Sequence, residues 1–233
     1  MATPAHALVI ADGDVDAPLL AELAAAEDRP LLIAADGGAA RVLEANLTPD
    51  VVVGDFDSLS VADRGRLEAL GVELRRADRD KDESDMELCL FTALEAGIGR
   101  ITILGALGLV RPEHSLANLL LLADPRLDDI DLVIAGRGSR IVRLGTAGGP
   151  GQHAIEGEPG DFVSLFPIGA AVEGVTTSGL RFRLADETLL LGHSRGLSNE
   201  LLDQHASVTT RRGRLLLVHT SRSMADAPPT GGN

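Results

Sequence analysis

An α/β N-terminal domain with a mostly parallel sheet, followed by a C-terminal all-β, sandwich-like domain, is the fold class this sequence predicts. Three observations lead to it. From residue 7 to about residue 145, short apolar runs alternate with helix-period stretches. After "GTAGGPGQ" the helical pattern stops, and strand-like segments recur between Gly, Pro and Asp about every 8–12 residues. Acids and glycines also gather where the apolar runs end, and ligands of open α/β sheets bind at that edge.

The strands expected first are Ala7–Ala11, Leu31–Ala35, Val51–Val53, Val72–Leu74, Ile101–Leu104 and Leu132–Ala135. Each is a short apolar run of the kind a parallel sheet buries on both faces. Helical periodicity falls between them, over Ala17–Glu27, Ala39–Ala45, Ala62–Leu70, Asp85–Ala96 and Ser115–Ala123. Alternation of this kind predicts βα units with right-handed crossovers. Gly145–Gly151 reads as a linker, so residues 1–145 form the first expected domain and residues 152–221 the second. The second holds "DFVSLFPIG", "AAVEGVTTSGL", "FRLADETLLLGH" and "GRLLLVHTS". Residues 222–233 read as a disordered tail.

Composition narrows the function. The chain has 233 residues, a net charge of −14 and no Trp or Tyr, so it repels nucleic acid and lacks a base-stacking platform. No apolar run approaches the ~20 residues of a membrane span. The start, "MATPAHALVIADGD", has no basic segment before its apolar stretch and reads as a strand opening rather than a signal peptide. The single cysteine, Cys89, excludes an internal disulfide, reads as a small buried thiol and fits a cytoplasmic location. His6, His153, His193, His205 and His219 are scattered singly and suggest no zinc site. Of the 21 basic residues only Lys81 is lysine, and it lies among the densest acids. An ammonium there is a compact point charge that a planar guanidinium does not replace.

Four junctions carry the chemistry. In "GDFDS", an extended chain would point Asp55 and Asp57 to one side and Phe56 to the other, as a core plug. Paired carboxylates at a strand end suit Mg²⁺, which takes a few acidic ligands plus water and phosphate; the same residues also read as a helix cap. "ADGG" sets Asp36 before Gly37 and Gly38, either as a cap or as a loop whose backbone N–H groups approach a phosphate. "DRDKDESD" brings Lys81, Asp82 and Asp85 to a helix start. The acids there complement the macrodipole and Lys81 does not, so Asp85 reads as a metal ligand and Lys81 as a phosphate contact. "RPEHSLAN" supplies Arg111, suited to clamping phosphate, then His114 and Asn118; His114 alone reads more simply as a cap or surface residue.

Together these motifs resemble the thiamine pyrophosphokinase family. The family's DGG, GD-x-DS, KD-x-TD and R-x-DH elements appear as Asp36–Gly38, Gly54–Ser58, Lys81–Asp85 and Arg111–His114, with Asn118 four residues on. Its late pair appears as "GLRF", Gly179–Phe182, and "SNE", Ser198–Glu200. Ser84 stands where Thr is usual, Glu113 where Asp is usual, and Phe182 where a larger aromatic is common. The resemblance implies a homodimeric enzyme that transfers pyrophosphate from ATP to thiamine, with Mg²⁺ held by Asp36, Asp55, Asp57 and Asp85. It implies nucleotide contacts from Gly37, Gly38, Lys81, Arg111, His114 and Asn118, catalytic roles for Asp57, Lys81, Asp82 and Asp85, and a thiamine pocket using Phe182, Ser198 and Asn199. Asp82 is the candidate proton acceptor. The same residues would also serve a pyrophosphokinase of another hydroxymethyl acceptor, such as a pterin, or a nucleotide or thiamine sensor without turnover.

Overall fold

The computed structural model describes residues 5–108 and 110–226. Two compact units divide the chain: residues up to Leu122 together with Asp129–Arg137, and Ala123–Asp128 together with Gly138 onward.

The first unit alternates strand and helix: β1 His6–Ile10, α1 Ala17–Ala24, β2 Leu31–Ala35, α2 Gly38–Glu44, β3 Val51–Gly54, α3 Val61–Ala69, β4 Glu73–Arg76, α4 Asp85–Glu95, β5 Arg100–Leu104, α5 Pro112–Leu121 and β6 Asp131–Gly136. The strands lie in the order β4-β3-β2-β1-β5-β6 and every pair is parallel. Successive strands step outward from β1 to β4; the chain then returns to the other side of β1 with β5. That reversal makes the carboxyl ends of β1 and β5 a topological switch point. Ala7, Leu8, Val9, Ile10, Ile33, Val52, Ile101 and Ile103 are sealed from solvent, as their unbroken apolar runs require. Helices α1, α3 and α4 begin on side-chain caps. Asp16 accepts from Leu19 N, Ser60 from Asp63 N and Ser84 from Glu87 N. The hydroxyl at position 84 thus starts α4 by accepting from Glu87 N at 3.1 Å.

The second unit is antiparallel: β7 Ser139–Leu144, β8 Gly151–Glu156, β9 Phe162–Ser178, β10 Glu187–Leu189, β11 Asn199–Glu200, β12 His205–Thr210, β13 Arg212–Thr220 and a short helix, α6 Arg222–Ala225. The segments "DFVSLFPIG" and "AAVEGVTTSGL" are one strand, β9. It passes through Gly169 at φ +82°, where glycine lets the chain bend without stopping. Its first half pairs with β13, and residues 172–178 pair with β10 and β12. Strand β13 in turn lies between β7 and β9. Gly145–Gly151, expected as a linker, connects β7 to β8 inside this unit, and β7 belongs to it through pairing with β13. Of the expected tail, Arg222–Ala225 is helical because buried Asp161 accepts from Arg222 N at 2.9 Å, while residues 227–233 lie outside the described residues.

An ion cluster ties Ala123–Asp128 into this unit. Arg214 meets both oxygens of Asp128 at 3.0 and 2.7 Å. Arg143 donates to the carbonyls of Leu127 and Asp128 at 2.8 and 3.1 Å. Both guanidinium groups are largely buried. Asp128→Ala removes the carboxylate and leaves two cations poorly compensated, so a loss of about 3–5 kcal/mol is expected, read as a lower urea midpoint. An unchanged midpoint would show the cluster to be energetically idle.

Candidate metal and nucleotide site

The carboxyl ends of β2 and β3 hold the site. Strand β2 ends in Ala35, and Asp36 follows with its backbone turned to φ +34°. Strand β3 ends in Gly54 at φ +157°. A Cβ there would lie 2.8 Å from Asp36 Cβ and 3.3 Å from Asp85 Cγ, so only glycine lets the two acids flank the strand end. Asp55 and Asp57 come together differently from the extended arrangement expected. The strand is over before Asp55, and the turn is made by Phe56 at φ +65° and by Asp57 N donating to Asp55 Oδ1 at 3.1 Å. Phe56 is therefore no core plug. It is half-buried, with the Arg64 guanidinium 5.9 Å from its ring centre.

Asp36, Asp55 and Asp57 each offer an oxygen within 4.8 Å of the others. Asp36 is the deep member, only 6% exposed, and its Oδ1 has no hydrogen-bond partner. Its Oδ2 accepts from Ser58 N at 3.2 Å. Burial holds its carboxyl above the ordinary range; the Ser58 contact opposes this, and the charges of Asp85 and Asp55 add to it. An orphaned buried carboxylate oxygen beside two more carboxylates fits a hard divalent cation such as Mg²⁺. Asp85, at the first turn of α4, adjoins Asp36 but pairs with Lys81, whose side chain is 16% exposed. Asp82 lies exposed in the same segment.

Two residues that the sequence did not single out stand nearby. Arg79 donates to Asp57 Oδ2 at 2.9 Å and stands 3.9 Å from Asp55 Oδ2. Asp12, at the end of β1, abuts Gly37 and pairs with Arg41 at 3.3 Å. The signal for Asp12 was "ADGD" after the first apolar run; Arg79 gave none beyond being a base among acids.

The remaining expected nucleotide residues have structural duties. Gly37 and Gly38 are buried. A Cβ on Gly37 would meet the Asp12 carboxylate at 2.8 Å, and Gly38 presses α2 onto the Ile10 carbonyl of β1. Asn118 is buried and donates to the Ala106 carbonyl at 2.8 Å, fixing the loop after β5. Ser115 hydrogen-bonds Gly108 in the same loop, which in turn receives Gly13 N on Gly105 O at 2.9 Å. Arg111 and His114 are exposed at the start of α5, where Arg111 donates to Glu113 at 2.7 Å. The extra methylene of Glu113 lets it reach back two residues to that guanidinium. Burial pushes the Cys89 thiol up, out of reach of ionisation, so it offers no nucleophile.

In the second unit, Asn199 is buried and its side-chain amide pairs with the backbone of Phe182, accepting from Phe182 N at 2.8 Å and donating to Phe182 O at 2.7 Å. Phe182 is 52% exposed. Ser198, at φ +56°, donates its N–H to Ser164 Oγ at 3.0 Å. These three expected residues are thus brought into one neighbourhood.

The chain matches two protein-family models: "Thiamin pyrophosphokinase, catalytic domain" over residues 24–134 and "Thiamin pyrophosphokinase, vitamin B1 binding domain" over residues 152–215. It is similar to thiamine pyrophosphokinase of Bacillus subtilis, with 27% identity over 84% of this chain and 89% of that one. Thiamine pyrophosphokinase 1 of Oryza sativa subsp. japonica is also 27% identical, over 90% of this chain and 85% of that one. Among solved structures, that of the Bacillus subtilis enzyme superposes with a TM-score of 0.80 at 25% identity, over 93% of this chain and 99% of the other. The Geobacillus thermodenitrificans enzyme gives 0.78 at 25% identity, over 94% and 98%.

Because burial raises the Asp36 carboxyl from 3.8, the folded chain keeps this proton to higher pH than the unfolded chain. Stability from this group therefore falls as pH rises through the window between 3.8 and the raised value, and stays lowered above it. In metal-free buffer at neutral pH, Asp36→Asn is expected to raise the urea midpoint. Added Mg²⁺ should stabilise the wild type and leave the variant unmoved. A lower midpoint for the variant would contradict this reading of Asp36.

Proposed function

We propose that this chain, which belongs to the thiamin pyrophosphokinase family, transfers a pyrophosphoryl group from ATP to the hydroxyethyl oxygen of thiamine, yielding thiamine diphosphate and AMP. The observation that carries the reading is the Asp36–Asp55–Asp57 cluster at a parallel-sheet edge, in a chain whose two parts match that family's two domains. The first unit is assigned the Mg–ATP role, and the second unit the thiamine-binding and dimerisation role.

In this reaction the thiamine hydroxyl oxygen attacks the β-phosphorus. The bond from that phosphorus to the oxygen bridging the α-phosphate breaks, and AMP departs with the electron pair. Catalysis of this kind is positioning plus charge neutralisation and needs no protein nucleophile. Asp36, Asp55, Asp57 and Asp85 would hold Mg²⁺, which when bound supplies neutralisation of phosphate charge. Lys81, steadied by Asp85, and Arg111 are assigned to phosphate oxygens, with His114 at the nucleotide's edge. Gly37, Gly38 and Asn118 serve the nucleotide by setting the strand-end loops. Asp82, exposed and free to approach a substrate, is assigned the hydroxyl proton.

Phe182, Ser198 and Asn199 are assigned to thiamine, with the Phe182 ring against the cationic thiazolium. A homodimer belongs to the same reading, supported by Phe182, Leu191, Leu197 and Leu202, each more than half exposed. No helix among the described residues is long and apolar enough to cross a membrane. We assign the chain to the cytoplasm, in keeping with its lone, buried cysteine.

The decisive assay is AMP release dependent on both thiamine and Mg²⁺, with pterin alcohols as competing acceptors; ADP formation or indifference to thiamine would reject the function. Asp57→Asn is expected to lower kcat about a hundredfold or more with the fold intact by circular dichroism. Phe182→Ala is expected to raise the KM for thiamine about two- to thirtyfold with little change in kcat. An unchanged KM would remove Phe182 from the pocket.

A further inference from the structure

We propose that Arg79 is a built-in counter-ion of the carboxylate cluster, which a divalent cation must displace and which then transfers to the nucleotide's phosphates. The inference rests on the Mg–ATP reading of this site. Its consequence is selectivity in what the site takes up: bare metal binds weakly, and metal arriving with nucleotide binds well.

The geometry points this way. One guanidinium spans two of the three converging carboxylates, at 2.9 Å from Asp57 and 3.9 Å from Asp55. It leaves the third alone, since Asp36 Oδ1, deep in the cluster, has no partner. A planar fork can bridge the two outer acids, whereas a small dication can be reached by all three. Arg79 and a metal therefore compete for the same two carboxylates, Asp55 and Asp57.

Exposure separates Arg79 from its neighbour Lys81. The Arg79 side chain is 78% exposed, so its pairing is screened by solvent and held weakly. Lys81, 16% exposed and paired with Asp85, is a fixed charge. Two bases in one short segment thus do different work: Lys81 stays, and Arg79 is placed to move. The guanidinium that leaves Asp57 remains tethered at the mouth of the cluster, where it can meet phosphate oxygens bidentately.

The test measures binding as well as turnover. Mn²⁺ is titrated into the full chain and free Mn²⁺ is followed by electron paramagnetic resonance, for wild type, R79Q and R76Q. Arg76 is a charge-matched control, exposed at the end of β4 and in register with Gly54. R79Q is expected to bind bare Mn²⁺ about two- to fivefold more tightly than wild type, with R76Q unchanged. R79Q should also bind the Mn²⁺ complex of an ATP analogue with a methylene bridge between the α- and β-phosphates less tightly than wild type. In wild type, the Arg79 Nε–H resonance should shift on titration with Mg²⁺. Unchanged or weaker bare-metal binding by R79Q, or equal tightening in R76Q, would overturn the counter-ion role. Tighter binding of the nucleotide complex by R79Q would overturn the transfer to phosphate. Absence of Mn²⁺ binding by wild type would defeat the metal reading itself, and the counter-ion role with it.

Discussion

Carboxylates repel one another, and the first unit is arranged around holding several of them together. Asp36, Asp55 and Asp57 converge within 4.8 Å, with Asp85 beside Asp36. Without compensation such a group would splay apart or take up protons. Four kinds of contact offset the repulsion: backbone N–H groups on Asp36 and Asp55, the Ser58 hydroxyl on Asp57, an ammonium on Asp85 and an exposed guanidinium on Asp57. None of them satisfies Asp36 Oδ1, the oxygen that a cation would meet in the proposed reading.

The backbone shares the load. Asp36, Gly54 and Phe56 all take left-handed or otherwise uncommon conformations within this small region. Each non-glycine residue held so costs on the order of 1–3 kcal/mol and persists only where its surroundings overdetermine it. Here the surroundings are β2 and β3, whose residues Leu32–Ala35 and Val51–Gly54 are buried and locked in parallel register. The rigidity of the sheet is what lets the strand ends depart from ordinary geometry. A softer scaffold would relax the turn and lose the convergence of charge.

Much of this was legible in the sequence, and what was not has physical causes. The βα alternation of the first 136 residues follows from apolar runs that only a two-sided burial explains, and the strand-end acids stood out against them. Phe56 misled because alternation along a strand holds only while the strand continues, and β3 ends at Gly54. Gly37 and Gly38 read as a phosphate loop because close packing and ligand approach both demand the absence of a Cβ. Asn118 also holds the Ala106 carbonyl with its amide, a duty that its spacing from His114 did not reveal. Arg79 could not be found, because in a chain with 20 arginines nothing local separates a counter-ion from a solvated surface charge. In the second unit, Gly169 looked like a break, but a glycine at positive φ can bend a strand as readily as end it.

The position of β13 has a consequence for how the molecule comes to exist. Its neighbours β7 and β9 are not paired with each other; each waits for a strand that appears late in the sequence, with Leu215 meeting Leu144 across about 70 residues. Until that strand inserts, two apolar edges lie open side by side. Non-local pairing of this sort is slow, and open edges attract other chains. Insertion of β13 should therefore be the rate-limiting folding event of the second unit and the interval in which it is most prone to aggregate.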